Sequence, residues 1–213
     1  GFRSWAKLKA YAVDEIGAIE RAIRGDDCDT LRSLLASRAD VADEQIQWTA
    51  RRDPMTLGWF IGRFGSDNVL RAALDAGVDP DRLGADAFGL ALCFRKMSMV
   101  DTLVELGVDP LDHQDILYQL TEDLNVDGVR WMLQRGADPD YRAAGEGHGA
   151  WTLLDNVIHT YPSDAPARQA IVHALIQAGA KHEDNALFDL LSGNVDALRE
   201  RIALDPRVVR QTF

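Results

Sequence analysis

One short phrase recurs four times in this chain of 213 residues. Each copy has a short apolar stretch, then Gly, then Val or Ala, and three of the four copies continue with Asp-Pro. Before Gly136, the residues Val129, Met132 and Leu133 have the spacing of an apolar stripe on a helix. Glycine readily adopts the left-handed conformation that ends a helix, and proline cannot continue one. The phrase therefore predicts one helix ending used four times, at Gly77, Gly107, Gly136 and Gly179.

The spacing of these glycines constrains the fold class. Successive glycines lie 30, 29 and 43 residues apart, in the range typical of proteins built from stacked repeats. No period-two alternation of useful length competes with the helical periodicity, which argues against a sheet. The sequence therefore predicts an all-α protein, a helical repeat solenoid of about six helix-turn-helix units.

The repeated ending resembles that of the ankyrin repeat family, whose second helix typically closes with Leu-Leu-x-x-Gly-Ala-Asp. Thr152-Leu153-Leu154-Asp155 comes nearest to the Thr-Pro-Leu-His with which the first helix of that family opens. The resemblance covers roughly residues 10 to 206. It implies a stack of helix pairs with finger-shaped turns on one side and a concave groove that binds other proteins.

Division of the chain follows from this pattern. Residues 1–12, which are basic and carry Phe2, Trp5 and Leu8 at helical spacing, are interpreted as a cap over the first repeat, with a docking segment as the alternative. Residues 13–206 form the ankyrin-like repeat domain and residues 207–213 a C-terminal tail, unless the stack continues in a longer chain. The predicted helix pairs are 13–24 with 28–37, 54–62 with 67–76, 85–95 with 99–106, 114–120 with 126–135, 152–159 with 167–178, and 186–191 with 195–202.

Several local signals refine these helices. Asp27 is placed to cap the second helix by accepting from its first amides. Segments 78–84, 108–113 and 137–149 are rich in Asp, Pro and Gly and are interpreted as fingers. Segment 160–166 holds two prolines and is interpreted as a loop longer than the other turns within a pair.

The net charge limits which partners the protein is expected to bind, and the cysteines indicate the compartment in which it occurs. A net charge of -11 argues against binding to nucleic acid or to an anionic membrane, both of which need basic residues. If charge selects a partner, that partner is a basic protein. No apolar run approaches the roughly 20 residues that cross a bilayer. Cys28 and Cys93 fall in different repeats and are interpreted as unpaired thiols, which favours the reducing cytoplasm. We also expect the protein to be a monomer in isolation.

The sequence contains no motif that predicts catalysis, a cofactor or a metal. Five histidines lack any metal-ligand spacing, and neither cysteine has an activating context. Segment 145–149 alternates glycine with other residues, but no Lys-Ser or Lys-Thr follows it as in a phosphate-binding loop. We therefore expect a protein that is not an enzyme and has no catalytic, cofactor-binding or metal-binding residues. The histidines are His113, His148, His159, His173 and His182.

Binding by shape remains as the expected function. Aromatic and arginine side chains usually supply most of the energy of a protein interface, and polar residues at finger tips are expected to be exposed. For the two tryptophans, a packed structural role is equally compatible with the sequence. The predicted partner-binding residues are Trp59, Asp81, Arg82, Asp112, His113, Tyr118, Tyr141, Arg142 and Trp151.

Three functional hypotheses fit this surface. The first is an adaptor or scaffold that positions a protein partner. The second is an inhibitor or immunity-type protein that blocks a basic enzyme. The third is a regulatory or targeting module of a larger enzyme.

Overall fold

The computed structural model describes residues 5–36, 55–142, 151–182 and 186–210. These residues form α-helices and two 3-10 helices and contain no β-strand, so the predicted all-α class is confirmed. The 3-10 helices are Pro110–His113 and Pro206–Arg210. The α-helices are α1 Trp5–Arg24, α2 Cys28–Leu35, α3 Leu57–Phe64, α4 Asp67–Asp75, α5 Pro80–Cys93, α6 Met97–Glu105, α7 Ile116–Glu122, α8 Val126–Gln134, α9 Leu153–His159, α10 Ala165–Gln177, α11 Ala186–Leu191 and α12 Val195–Leu204.

The repeated glycine ending is confirmed at all four predicted positions. The φ angles of the glycines are 90° at Gly77, 102° at Gly107, 92° at Gly136 and 102° at Gly179, all in the left-handed region. After each glycine the next amide donates to a carbonyl five residues earlier, at N···O distances between 2.9 Å and 3.2 Å. This back-bonding satisfies carbonyls that the helix would otherwise leave open at its end.

The turns inside four helix pairs use the same ending with other residues. Asp26, Arg95, Leu124 and Gly193 have φ angles of 57°, 55°, 51° and 72°, and the amide that follows each one again donates five residues back. Three of these four residues carry side chains that rarely adopt this conformation. These three helix ends could not be predicted from residue type, because only glycine and asparagine commonly mark a left-handed helix end.

Side-chain caps begin the second helix of most pairs. The predicted cap at Asp27 is confirmed, since its carboxylate accepts from the Thr30 amide at 3.1 Å. Ser66, Asn125 and Asn194 do the same for α4, α8 and α12. Each cap satisfies an amide that has no partner within the helix.

The chain divides into two compact units, Gly1–Asp109 and Pro110–Phe213. In the first unit α1 packs on α3, and α3 packs on α5. In the same way α2 packs on α4, and α4 packs on α6. Contacts also join α1 to α2 and α5 to α6, which are neighbours in sequence. The apolar residues between these helices are fully buried, among them Leu31, Phe60, Leu70, Phe88 and Val100. The unit is thus two rows of helices with the core between them.

The second unit repeats this order of contacts from α7 to α10 and departs from it at its last two α-helices. Helix α7 packs on α8 and α9, α8 packs on α10, and α9 packs on α10; α10 then contacts α11, and α11 contacts α12. Its core includes Leu117, Leu120, Val129, Leu153 and Ile171, all fully buried. The 3-10 helix Pro206–Arg210 packs on α12 and buries Val208.

The predicted division into 1–12, 13–206 and 207–213 stays a prediction. Helix α1 is continuous from Trp5, so it begins eight residues before the start predicted at residue 13. The predicted C-terminal tail begins inside a 3-10 helix, and residues 211–213 lie outside the described part of the chain.

Two predicted fingers are wrong in part because a proline begins a helix. Asp79 caps α5, and Pro80 occupies its first turn, where a missing amide hydrogen costs nothing. Residues 80–84 are therefore helical instead of finger-shaped. Pro110 likewise opens a 3-10 helix inside segment 108–113. The same reason corrects the loop 160–166, since Pro166 lies in the first turn of α10.

None of the described helices combines the length and the apolar character needed to cross a membrane. Cys28 and Cys93 are both half-buried, and neither is in a disulfide. Burial and the neighbouring carboxylate of Asp26 raise the pKa of the Cys28 thiol. A thiol of raised pKa is a poor nucleophile at neutral pH.

Candidate partner-binding surface

Six of the nine predicted residues lie in the second unit, and three of these six form an aromatic cluster. Tyr118 is on α7 and half-buried, and its ring stands edge-on to that of Tyr141 with 6.4 Å between centroids. The Tyr118 hydroxyl donates to the backbone carbonyl of Trp151 at 2.5 Å. The Trp151 ring is 40% exposed and lies 5.1 Å from the ring of His159. In this cluster the tryptophan side chain is exposed, and both tyrosines are half-buried.

Local backbone chemistry fixes the approach of Trp151. The next residue, Thr152, caps α9: its hydroxyl accepts from the Asp155 amide at 3.1 Å, and the Asp155 carboxylate accepts from the Thr152 amide at 2.8 Å. This reciprocal pair of bonds is a capping box. It occupies the Asp155 carboxylate and holds the chain at the entry to the helix.

A groove of about 480 Å³ opens beside this cluster. Its walls combine apolar side chains from α9 and α11 with polar and basic groups from the segments that precede those helices. The lining residues are Arg142, Thr152, Leu154, Asp155, Ile158, His159, Lys181, His182, Leu187 and Phe188. Such a mixture of aromatic, apolar and hydrogen-bonding groups suits an extended peptide or a protruding loop.

Two consecutive fingers meet at one side of the groove. The Lys181 amide donates to the Asp140 carboxylate at 2.8 Å, and the Lys181 ammonium lies 3.7 Å from the same carboxylate. The His182 ring packs at 5.1 Å from that of Phe188. Lys181 engages the carboxylate of Asp140, and the capping box engages that of Asp155. Arg142 is exposed and lines the same groove.

The remaining predicted residues lie elsewhere. Trp59 is half-buried on α3 in the first unit, edge-on to Phe64 at 6.2 Å, which is the packed arrangement that the sequence left open for it. Asp81 and Arg82 are exposed, as expected, but they lie in the first turn of α5 and not at a finger tip. The Arg82 guanidinium is 3.5 Å from the carboxylate of Asp79.

Asp112 and His113 lie in the 3-10 helix before α7, where Asp112 is exposed and His113 half-buried. His148, another of the five histidines, lies outside the described ranges. The next residue, Gln114, accepts from the Asp138 amide at 2.6 Å and so ties this segment to the finger that carries Tyr141. The role of all nine residues in partner binding stays a prediction.

Of the ten lining residues, sequence reasoning predicted only Arg142; those it missed include His159, Lys181, His182 and Phe188. A partial signal was present for two of them, because Lys181 and His182 lie in the segment after Gly179, as Tyr141 and Arg142 lie in the segment after Gly136. His159 and Phe188 become lining residues through the packing of α9 and α11, which no local pattern encodes.

The described residues were also considered as ligands of a metal ion. Within residues 5–36, 55–142, 151–182 and 186–210, no group of three or more His, Cys, Asp or Glu side chains could hold a metal ion. No family model matches the chain, and neither the curated proteins nor the solved structures contain a match.

Proposed function

We propose that the protein is a non-catalytic protein-binding module, built as an ankyrin-like stack of helix pairs, that acts as an adaptor or scaffold. Its partner contacts the groove beside α9 and the aromatic cluster of Tyr118, Tyr141 and Trp151. Four of the nine residues predicted from the sequence lie in or next to this groove.

The observation that carries the repeat interpretation is a series of polar bonds between equivalent helices. The Lys96 ammonium donates to the Gly65 carbonyl at 2.7 Å, 31 residues away. The Thr102 hydroxyl donates to Asp67 at 2.6 Å, 35 residues away, and the Asn156 amide donates to the Tyr118 carbonyl at 2.9 Å, 38 residues away. Separations of this size match the spacing of the glycine endings, as expected when one repeat packs on the next.

The exposed indole of Trp151 supports binding through the groove. Tryptophan, tyrosine and arginine are the residues whose truncation most often weakens an interface. Trp151 and Arg142 are exposed at the groove, while Tyr118 and Tyr141 lie half-buried beneath. A partner that covers the indole would bury apolar surface that folding leaves in water.

The experiment is purification of the complex followed by a binding measurement. The full chain is used to isolate a partner from source cells, and the purified pair is tested for stoichiometric co-elution and for affinity by calorimetry. We expect the double variant R142A/W151A to weaken binding by at least about tenfold, as for central interface residues. The matched control is Asn68→Ala, an exposed residue on α4, which should bind like the unmodified chain.

Two results would contradict this proposal. One is the failure of any protein to co-elute at fixed stoichiometry with the full chain. The other is equal affinity of the double variant and the control, which would place the contact away from the groove.

A further inference from the structure

The loop between α9 and α10 departs from the other turns within helix pairs. Thr160–Asp164 spans five residues, whereas the described turns of the other pairs have two or three, as at Gly65–Ser66 and Phe94–Lys96. The additional residues include Tyr161 and Pro162. A lengthened turn in one repeat of a stack is a common place for function, since the neighbouring repeats do not require it.

This loop is held by side chains, not left as free chain. The Arg168 guanidinium on α10 donates to the carbonyls of Val157 at 3.1 Å, Thr160 at 3.2 Å and Pro162 at 2.7 Å. The Thr160 hydroxyl donates to the Glu122 carbonyl at the end of α7, at 2.6 Å. Asp164 caps α10 through the Ala167 amide. The loop is therefore fixed at its start, its middle and its end.

Tyr161 is the residue that this loop presents. Its side chain is 97% exposed, more than any other large apolar residue in the described part of the chain, of which the next is Leu204 at 81%. A side chain so exposed contributes almost nothing to the folded core. A tyrosine on a fixed loop loses little further conformational freedom when a partner covers it, which favours binding.

The surface around Tyr161 is acidic. Glu122, Asp123 and Asp164 are all exposed, and the bond from Thr160 places the end of α7 beside the loop. The basic residue that holds the loop, Arg168 on α10, is half-buried and directs its donors to three carbonyls, so it offers little charge to a partner. His159 lines the groove and directly precedes Thr160, which makes loop and groove parts of one continuous surface.

We infer that Tyr161 is an anchor that enters an apolar pocket rimmed by lysine or arginine on a basic protein partner. Burial of the ring supplies affinity, while the three carboxylates supply orientation and speed of association. This inference rests on the proposed protein-binding function. It adds the chemistry of the partner's pocket and the residue of this chain that enters the pocket.

The test begins with a photocrosslinking amino acid in place of Tyr161 in the full chain, with the same replacement at Leu204 as the matched exposed control. Illumination in source cells should give a discrete adduct from position 161 that the control lacks. The crosslinked partner peptide should lie at an apolar pocket flanked by basic residues. Capture alone does not suffice, so the partner is purified and its affinity measured.

With purified partner, we expect Tyr161→Ala to lower affinity by at least about tenfold and Tyr161→Phe to retain most of it. The pair E122Q/D123N should slow association and flatten its dependence on salt. None of these three variants should change the urea midpoint of unfolding, since the replaced side chains are exposed. Arg168→Lys, which cannot span three carbonyls with a planar fork, should weaken binding several-fold and speed amide exchange in the loop.

The outcomes separate the two proposals. A stoichiometric partner whose affinity is unchanged in Tyr161→Ala but lost in R142A/W151A would overturn the anchor and leave the binding function intact. A partner surface that is acidic at the crosslink would also overturn the anchor. The absence of any stoichiometric partner would overturn both.

Discussion

In the first unit, α3 approaches α5 closely at two glycines. In the second unit, α9 is linked to α7 by a polar side chain. A Cβ atom at Gly58 on α3 would lie 2.6 Å from the Leu83 carbonyl oxygen on α5, and one at Gly62 would lie 2.8 Å from that of Ala87. In the second unit Asn156 on α9 instead donates to the Tyr118 carbonyl and to the Thr121 hydroxyl on α7. Similar stacking is thus achieved by steric fit in one case and by directed hydrogen bonds in the other.

The two units also differ in what they leave exposed. Among described residues of the first unit, the exposed large apolar side chains are Phe94 and Leu106, at 41% and 40%. The second unit exposes six: Leu111, Trp151, Tyr161, Leu190, Val195 and Leu204. Part of the Phe94 ring is covered by the Arg63 guanidinium, 3.7 Å from its centroid. Among the described residues, the second unit therefore leaves more large apolar side chains in water than the first.

The largest effect is expected from Gly58→Ala. The new methyl group meets backbone atoms of α5, which cannot rotate away, so the helices must separate or shift. We expect the free energy of unfolding to fall by about 2 to 3 kcal/mol, as for overpacking of a filled core. The measurement is urea unfolding followed by circular dichroism.

The matched control for that variant is Gly17→Ala on α1, where a Cβ meets only the movable end of Arg21. This change should stabilise by up to about 1 kcal/mol, because alanine favours a helix over glycine. Equal effects at both positions would show that close approach of α3 and α5 does not govern the first unit.

Asn156→Leu tests the polar link of the second unit. The leucine has a similar volume but no donor, so the bonds to Tyr118 and Thr121 are lost inside a site where Asn156 is only 8% exposed. We expect a loss of about 1 to 2 kcal/mol in urea unfolding. Asn68→Leu, at an exposed position on α4, should stay within about 0.5 kcal/mol of the unmodified chain. An unchanged Asn156→Leu would indicate that α7 and α9 are held by apolar packing alone.

Gly136→Ala isolates the helix ending from packing. Nothing lies within 4 Å of a Cβ at Gly136, so the cost arises from its φ angle of 92° and not from a clash. We expect a loss of about 1 kcal/mol, and the same from Gly179→Ala, which has equally open space and a φ of 102°. A neutral effect in calorimetric melting of both variants would contradict the strain argument.

The smallest change in stability is expected at Lys96, and the direction in which this contribution varies with pH can be measured. Burial, followed by the nearby charge of Arg63, lowers the pKa of its ammonium below the ordinary value near 10.5. The folded chain therefore binds this proton less tightly than the unfolded chain, so stability should rise as the pH climbs from the folded pKa toward 10.5. The measurement compares urea midpoints of the unmodified chain and Lys96→Met between pH 7 and 10.5. A difference that is constant or that falls with pH would contradict this assignment.

The elements that the sequence predicted well are those in which one residue type has one physical role. Glycine after an apolar stripe gave four helix ends, and Asp27 gave a cap, since both depend on local backbone chemistry. The start of α5 was missed because Asp79-Pro80 was interpreted as the close of one helix, although the same pair caps and opens the next. Proline is acceptable at both places, so its presence alone does not distinguish them.

The candidate site was predictable where an aromatic or arginine residue lay on a predicted helix or finger. Tyr141 and Arg142 follow a glycine ending and were found, whereas His159 and Phe188 line the groove through helix packing. The lengthened loop at 160–166 was located from its prolines, but the exposure of Tyr161 depends on the three bonds of Arg168, six to eleven residues away in sequence. A set of hydrogen bonds from one side chain to three backbone carbonyls has no signature in composition or spacing.

The left-handed residue at eight helix ends has a consequence for how such a chain can vary over generations. At Asp26, Arg95 and Leu124 the joint between helices is made by main-chain bonds that reach five residues back, whatever side chain occupies it. A joint of this kind can be copied, or lost, with a whole helix pair and still close on itself. We therefore expect that a gain or loss of one whole helix pair would leave the main-chain bonds at the joints of the remaining pairs intact.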